Sequence, residues 1–234
     1  MATNCLPTAH WQPWTCIRPG ITGASNRAYN FCMNFFEILR QHAHEQPEQV
    51  ATASPRHRLT TYRKLWSRIE RCSARLQGEW LVGPGDTVAY SGYAHADALV
   101  LWISLARLGA RLLPLEGPAR QAAAAGIVQP HGVHLLLHDD DLPPPLGQEL
   151  ACHPLSDIVS RHCPHEASGP EQECQPSLLL LASVPDQPAQ EYSLRELMDL
   201  EPPAWPDRGP LFEHQRLAGQ ILPALLAARA LQLE

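Results

Sequence analysis

The chain has 234 residues, enough to bury a substantial core as one large domain or two small ones, and 44% of them are hydrophobic, so a folded chain is expected. A net charge of -6 with no basic stripe gives no reason to expect nucleic acid as a partner. No apolar run approaches the roughly 18 residues of a membrane span, and the first residues, with Asn4, His10, Gln12 and Pro13, form neither a charged nor an apolar leader, so no membrane and a cytoplasmic setting are expected.

Residues 1–30 are rich in Pro, Gly, Thr and Trp without periodicity and read as an extended arm, with Trp11 and Trp14 as the groups to dock it. Residues 31–46 then put Phe31, Phe35, Ile38 and Leu39 on one helical face and end at Pro47. A strand at 49–53, a turn at 54–57 and a return at 58–60 follow. Thr60 or Thr61 caps a helix in which Tyr62, Leu65, Trp66, Ile69, Cys72 and Leu76 recur at helical spacing as far as Gly78. The turn Gly83-Pro-Gly-Asp86 delivers a strand at 87–91, and residues 94–108 form a more apolar helix with Gly109 as its left-handed cap. A short strand at 111–115 is closed by Gly117-Pro118, then a helix at 119–127 and a strand at 133–138 lead to Asp139-Asp-Asp141 and Pro143-Pro-Pro145. Residues 148–176 are irregular and dense in Pro, Cys, His and Glu, as in a surface excursion. Further on, Pro202, Pro203, Pro206 and Pro210 stiffen a linker at 201–210, and a helix at about 215–231, kinked near Pro223, completes the order.

The stretch 177–197 organises the rest. Its leucines make a buried strand, 184–192 a polar loop with two prolines, and Ser193-Leu-Arg-Glu196 a capping box that starts a helix. Strand, loop and helix in that order suit an anion, because loop amides and a helix amino end can both point at it. The loop composition does not. From Val184 to Tyr192 there is no glycine, lysine or arginine, while Asp186 and Glu191 add negative charge. The alternation of helices and strands predicts an α/β, layered helix-sheet-helix fold with parallel neighbours.

In this order the motifs resemble the N-terminal part of the adenylate-forming (AMP-binding) superfamily of acyl-CoA synthetases, nonribosomal peptide adenylation domains and luciferases. The Thr-Tyr-x-x-Leu helix start is matched by Thr61-Tyr-Arg-Lys-Leu65 and the Gly-Asp-x-Val turn by Gly85-Asp-Thr-Val88. Leu105-Ala-Arg-Leu-Gly-Ala110, Leu113-Pro-Leu115 and Pro210-Leu-Phe-Glu-His214 match further family segments. The resemblance covers about 34–231 and implies a truncated form of the family subdomain, spanning 31–200, with 201–234 beginning the next. It also implies ATP and magnesium as ligands, with Ser183, Asp186 and Gln187 at remnant phosphate-loop positions and Ala189 or Gln190 where the family has its loop lysine. The family's adenine and ribose contacts, its acidic residue near the metal and its C-terminal catalytic lysine have no counterpart here. The expectation is therefore a catalytically inactive homologue that has lost ATP and magnesium and works as an interaction or regulatory protein. The alternative is one subunit of a split carboxylate-activating ligase completed by a second chain.

A protein partner or self-association follows from that expectation, and Leu217, Ile221, Leu222, Leu225 and Leu226 supply the candidate apolar face. Seven cysteines, an odd number, are read as reduced thiols, with Cys72 in the core, and Lys64 is the only lysine. The bias towards Ala, Arg, Pro and Leu suggests a GC-rich bacterial source. His131, His134 and His138, with Cys152, His153, His162, Cys163, His165 and Cys174, include the residue types of zinc sites without a paired spacing, and a freely drifting loop is the competing account. Asp139 to Asp141 read as a solvated turn rather than a cation site, and no metal or catalytic residue is assigned.

Overall fold

A computed structural model describes residues 34–53, 59–93, 95–117, 123–142, 150–159, 167–181, 188–200 and 211–233. These lie in the compact unit Met33–Glu234. The arm at 1–30, the turn at 54–57, the prolines at 143–145 and the linker at 201–210 lie outside the described residues.

Helix α1 (Phe35–Glu45) starts on a capping box in which Asn34 and Glu37 exchange side-chain and backbone bonds. Strand β1 (Val50–Ala53) pairs with β2 (Thr60–Thr61), and Thr61 caps α2 (Tyr62–Gly78). The apolar stripe foreseen on α2 is the buried one, from Tyr62 to Leu76. Next come β3 (Thr87–Ser91), α3 (Ala96–Leu108) and β4 (Arg111–Pro114), with Gly109 at φ 72° ending α3 in the left-handed region. Helix α4 is short (Ala124–Val128) and leads to β5 (Val133–His138).

Three expectations are corrected here. The stretch 148–176 is not wholly irregular, because it contains β6 (Ala151–Pro154) and α5 (Leu155–Val159). Pairing of β6 with β5 supplies the order that side-chain periodicity did not show. Second, the polar stretch after β7 (Pro176–Leu180) is a loop only in part, since Gln190–Ser193 form β8, antiparallel to β7. At the sheet edge one face of β8 meets water, which explains its polar composition. Third, the last helix does not run to 231. After α6 (Leu194–Asp199), α7 (His214–Arg216) passes into a π turn (Leu217–Ile221), closed by the Leu222 amide on the Leu217 carbonyl, and then into α8 (Leu222–Leu226). Pro223 has no N–H to give to Gly219, and this loosens the helical register at that point. Leu231 belongs to β9 (Leu231–Gln232), which pairs parallel with β1.

The main sheet has the order β6-β5-β3-β4-β7-β8, parallel except for β8. Successive residues of its strands feed two cores. Val88, Tyr90, Leu112, Leu135 and Leu137 meet α2 and α3, while Ala89, Leu113, Leu136 and Leu179 form a smaller cluster with α4 on the other face. Helix α3 is buried around nearly its whole circumference, as its apolar composition requires.

The leucine face proposed for a partner is used inside the chain. Leu217, Ile221, Leu222 and Leu225 are buried in the main core, and Leu226 is half-buried against it. Side chains from α1 and α2 hold the end of this helix: His42 Nε2 lies 3.0 Å from the Leu226 carbonyl, and the Tyr62 hydroxyl 3.2 Å from that of Arg229. A Leu225→Ala substitution is accordingly expected to destabilise the fold by about 2–5 kcal/mol, read as a lowered urea midpoint with the same slope; an unchanged midpoint would mean that the face is free.

Candidate functional site

In open α/β sheets, ligands meet the crevice beyond the carboxyl ends of the strands, where the chain reverses direction across the sheet. Here β4 and β5 lie on opposite sides of β3, so that crevice is flanked by the turns after β3 and β5. Ser183, Asp186 and Gln187 of the β7–β8 connection lie outside the described residues.

The β7–β8 hairpin alters the phosphate geometry read from the sequence. Pro176 faces Ser193 and Leu180 faces Gln190, so β7 ends at the carboxyl edge while α6 starts at the opposite edge. Four residues of strand separate the two by roughly 10 Å. The amino end of α6 is also sealed by its own chain: Glu196 accepts from the Ser193 amide at 2.8 Å and from its hydroxyl at 2.9 Å, and these bonds hold the Glu196 carboxyl below its usual range. The amino end of α6 is therefore neither at the carboxyl edge nor open to an anion.

At the carboxyl edge the structure builds a polar cluster that the sequence reading missed. Asp139, the first residue past β5, is 7% exposed at its side chain rather than part of a solvated turn. Its Oδ1 accepts from the Tyr90 hydroxyl and from His95 Nε2, each at 2.7 Å, and Oδ2 accepts from the Tyr93 amide at 2.8 Å. Burial pushes the Asp139 carboxyl up, but the bonds from His95, the Tyr93 amide and Tyr90 outweigh it and leave the group below its usual range. Burial, with the Asp139 charge second, holds the Tyr90 hydroxyl far above its ordinary value. His95 Nδ1 accepts from the Asp97 and Ala98 amides at 3.1 and 3.4 Å, which makes the imidazole the cap of α3. Gly92 is required beside this cluster, because a Cβ there would stand 2.2 Å from the Tyr90 hydroxyl. One signal was available in the sequence: a charged residue directly after a buried strand, opposite a glycine that directly follows another.

A depression of about 200 Å3 opens beside the cluster, lined by His95, Asp97, Asp139, Asp140, Asp141, Leu155 and Ser156. Asp97 is paired with Arg68, and Asp140 accepts from the Ser156 hydroxyl at 2.8 Å. A lining this rich in carboxylates repels a bare phosphate group. Among the described residues no three His, Cys, Asp or Glu side chains form a group able to hold a metal ion. Of the zinc candidates, His138 turns Nδ1 to the Asp139 carbonyl, His153 lies with its ring 4.2 Å from that of Trp80, His134 and Cys174 are exposed, and His131 and Cys152 are half-buried. His162, Cys163 and His165 lie outside the described residues. Cys72 is in the core, where burial pushes its thiol up to about 12.

The profile of the AMP-binding enzyme family matches residues 39–206. A 65-residue stretch, 28% of this chain, is 38% identical to the carboxylic acid reductase of Mycobacterium tuberculosis, of which it spans 6%. A stretch of 118 residues, half of this chain, is 25% identical to the D-alanine--D-alanyl carrier protein ligase of Bacillus licheniformis and spans 23% of it. Among solved structures, the N-terminal subdomain of Klebsiella oxytoca NpsA in complex with 3-hydroxybenzoyl-AMSN superposes with a TM-score of 0.64 at 19% identity, over 84% of this chain and 52% of that one. The o-succinylbenzoate CoA synthetase MenE of Bacillus subtilis gives 0.65 at 15% identity, over 83% and 43%. At these identities the structural likeness shows the fold alone, an α/β fold like that N-terminal subdomain, and the chain spans about half the length of the NpsA subdomain or less of the others.

Because the native Asp139 carboxyl titrates below its ordinary value, its contribution to stability is complete above the unfolded value, about 3.9, and is lost as the pH falls through the native one. Urea unfolding between pH 7 and pH 3 is expected to show a steeper acid loss for the wild type than for Asp139→Asn; identical slopes would contradict this. Gly92→Ala is expected to lower the melting temperature, since Tyr90 or the turn must move to admit the new methyl group.

Proposed function

This chain belongs to the AMP-binding enzyme family, and from that premise we propose that it is a catalytically inactive member that keeps the family's first α/β subdomain as an interaction or regulatory scaffold. The observation that carries this reading is the absence of glycine, lysine and arginine from Val184 to Tyr192, where the family resemblance puts its phosphate loop. Carboxylate activation develops charge on a phosphorus atom, and removal of one pre-placed donor from such a site costs on the order of a hundredfold or more in rate. The self-capped α6, whose amino end is already occupied by Ser193 and Glu196, supports the same reading. On this reading ATP and magnesium are not ligands of the chain, and its partner is a protein or a second copy. The partner docks elsewhere than on Leu217, Ile221, Leu222 and Leu225, which the core already uses.

The retained fold supports a second reading. A chain that superposes at a TM-score of 0.64 on a subdomain solved in complex with 3-hydroxybenzoyl-AMSN has the frame for one subunit of a split carboxylate-activating ligase, provided that another chain brings the phosphate-binding groups.

Calorimetric titration of the purified chain with millimolar Mg-ATP, and then with AMP, separates the two. The scaffold reading expects no heat and no thermal shift. Binding at micromolar strength would overturn it in favour of the split ligase.

A further inference from the structure

We propose that His95 is an acid-released latch on the turn between β3 and α3. The inference rests on the geometry of that turn and is independent of the function proposed above. The Asp97 and Ala98 amides can only donate, so His95 Nδ1 must accept, and the neutral ring carries its hydrogen on Nε2, where it meets Asp139 Oδ1 at 2.7 Å. Both ring nitrogens are thus committed, one to a carboxylate and one to a helix amino end.

A second proton has one place to go. The added N–H sits on Nδ1 and faces two backbone donors and the positive end of α3. Hence the ring that takes the proton keeps its bond to Asp139 and gives up the cap. The groups around it set this conflict. Tyr90 approaches from β3 at 3.1 Å, Asp97 from α3 itself, and Asp139, Asp140 and Asp141 from the turn after β5. Arg68 of α2 is neutralised on Asp97, Glu116 acts on Tyr90 from beyond β4, and α5 brings Leu155 and Ser156 to the lining of the depression.

What the latch holds is the turn itself. The Tyr93 amide is bound to Asp139 and its carbonyl lies 2.9 Å from the Tyr90 hydroxyl, while the residue as a whole is 45% exposed. Uncapping α3 frees the start of the helix from one side of this turn, and so changes how Tyr93 is presented beside the depression.

The test is made on the full chain, labelled with nitrogen-15, from pH 7.5 to pH 5.0. Imidazole spectra of His95 report which nitrogen is protonated, and hydrogen exchange reports protection of the Asp97 and Ala98 amides, corrected for intrinsic rates. Expected are a bare Nδ1 at pH 7.5 and, as the ring protonates, a fall of about tenfold in protection of both amides, the size of one lost cap. In His95→Asn, and in His95→Ser should that variant fail to fold, the side-chain oxygen caps without titrating and protection stays flat. A ring that remains neutral at pH 5.0, a protonated ring with both amides still protected, or a cap variant that loses protection in step with the wild type would each overturn the proposal.

Discussion

A carboxylate removed from water costs several kcal/mol unless donors replace its hydration, and the Asp139 side chain meets that requirement with three of them. The donors come from separate places in the chain: Tyr90 at the end of β3, Tyr93 in the turn that follows, and His95 at the head of α3. One buried charge therefore fixes β5 against β3 and sets the point at which α3 begins. Since α3 is the helix that the core surrounds, its starting point also places Trp102 against Phe212. The close approach at Gly92 follows from the same constraint, because the turn must pass within contact of Tyr90.

Elsewhere the fold is held by polar groups of another kind. His42 and Tyr62 meet the carbonyls at the end of α8, and β9 then pairs with β1. Glu173 accepts from the Phe35 amide at 2.8 Å and so bonds to the first turn of α1 from far along the chain, and Glu171 pairs with Arg40 and Arg107, whose guanidinium groups both lie over the Trp66 ring. The irregular stretch before β7 thus acts as a strap across α1, α2 and α3. Its glutamates and glutamines are structural contacts, and the absence of periodicity in this part of the sequence reflects bonds made one residue at a time.

Local signals carried most of the fold. The boundaries of α2, β3, β5 and the start of α6 are given by Thr61, by the Gly83-Pro-Gly-Asp86 turn, by the consecutive Leu135, Leu136 and Leu137 and by the Ser193–Glu196 box, all of which act within a few residues of themselves. What was not legible depends on distant partners. The strands at Ala151–Pro154 and Gln190–Ser193 exist because a neighbouring strand completes them, and their own residues are too polar or too mixed to announce it. The same holds for the leucines of α8, whose apolar face reads alike whether its counterpart lies in the same chain or in another. At the candidate site, three consecutive aspartates look like a solvated turn until Tyr90 and His95 are seen above the first of them. The order of motifs nevertheless carried the family, because segment order survives where single residues do not.

The pairing of β1 with β9 joins Thr52 to Leu231 and Ala53 to Gln232. A ribosome emits Thr52 and Ala53 long before Leu231 and Gln232, so the three-stranded sheet cannot close until the chain up to Gln232 has emerged, although the segments forming β3 to β5 are available much earlier. Assembly is then vectorial, with the parallel core preceding the closure, and the unpaired edge of β1 is the surface that a nascent chain must keep from adventitious strand pairing while it waits.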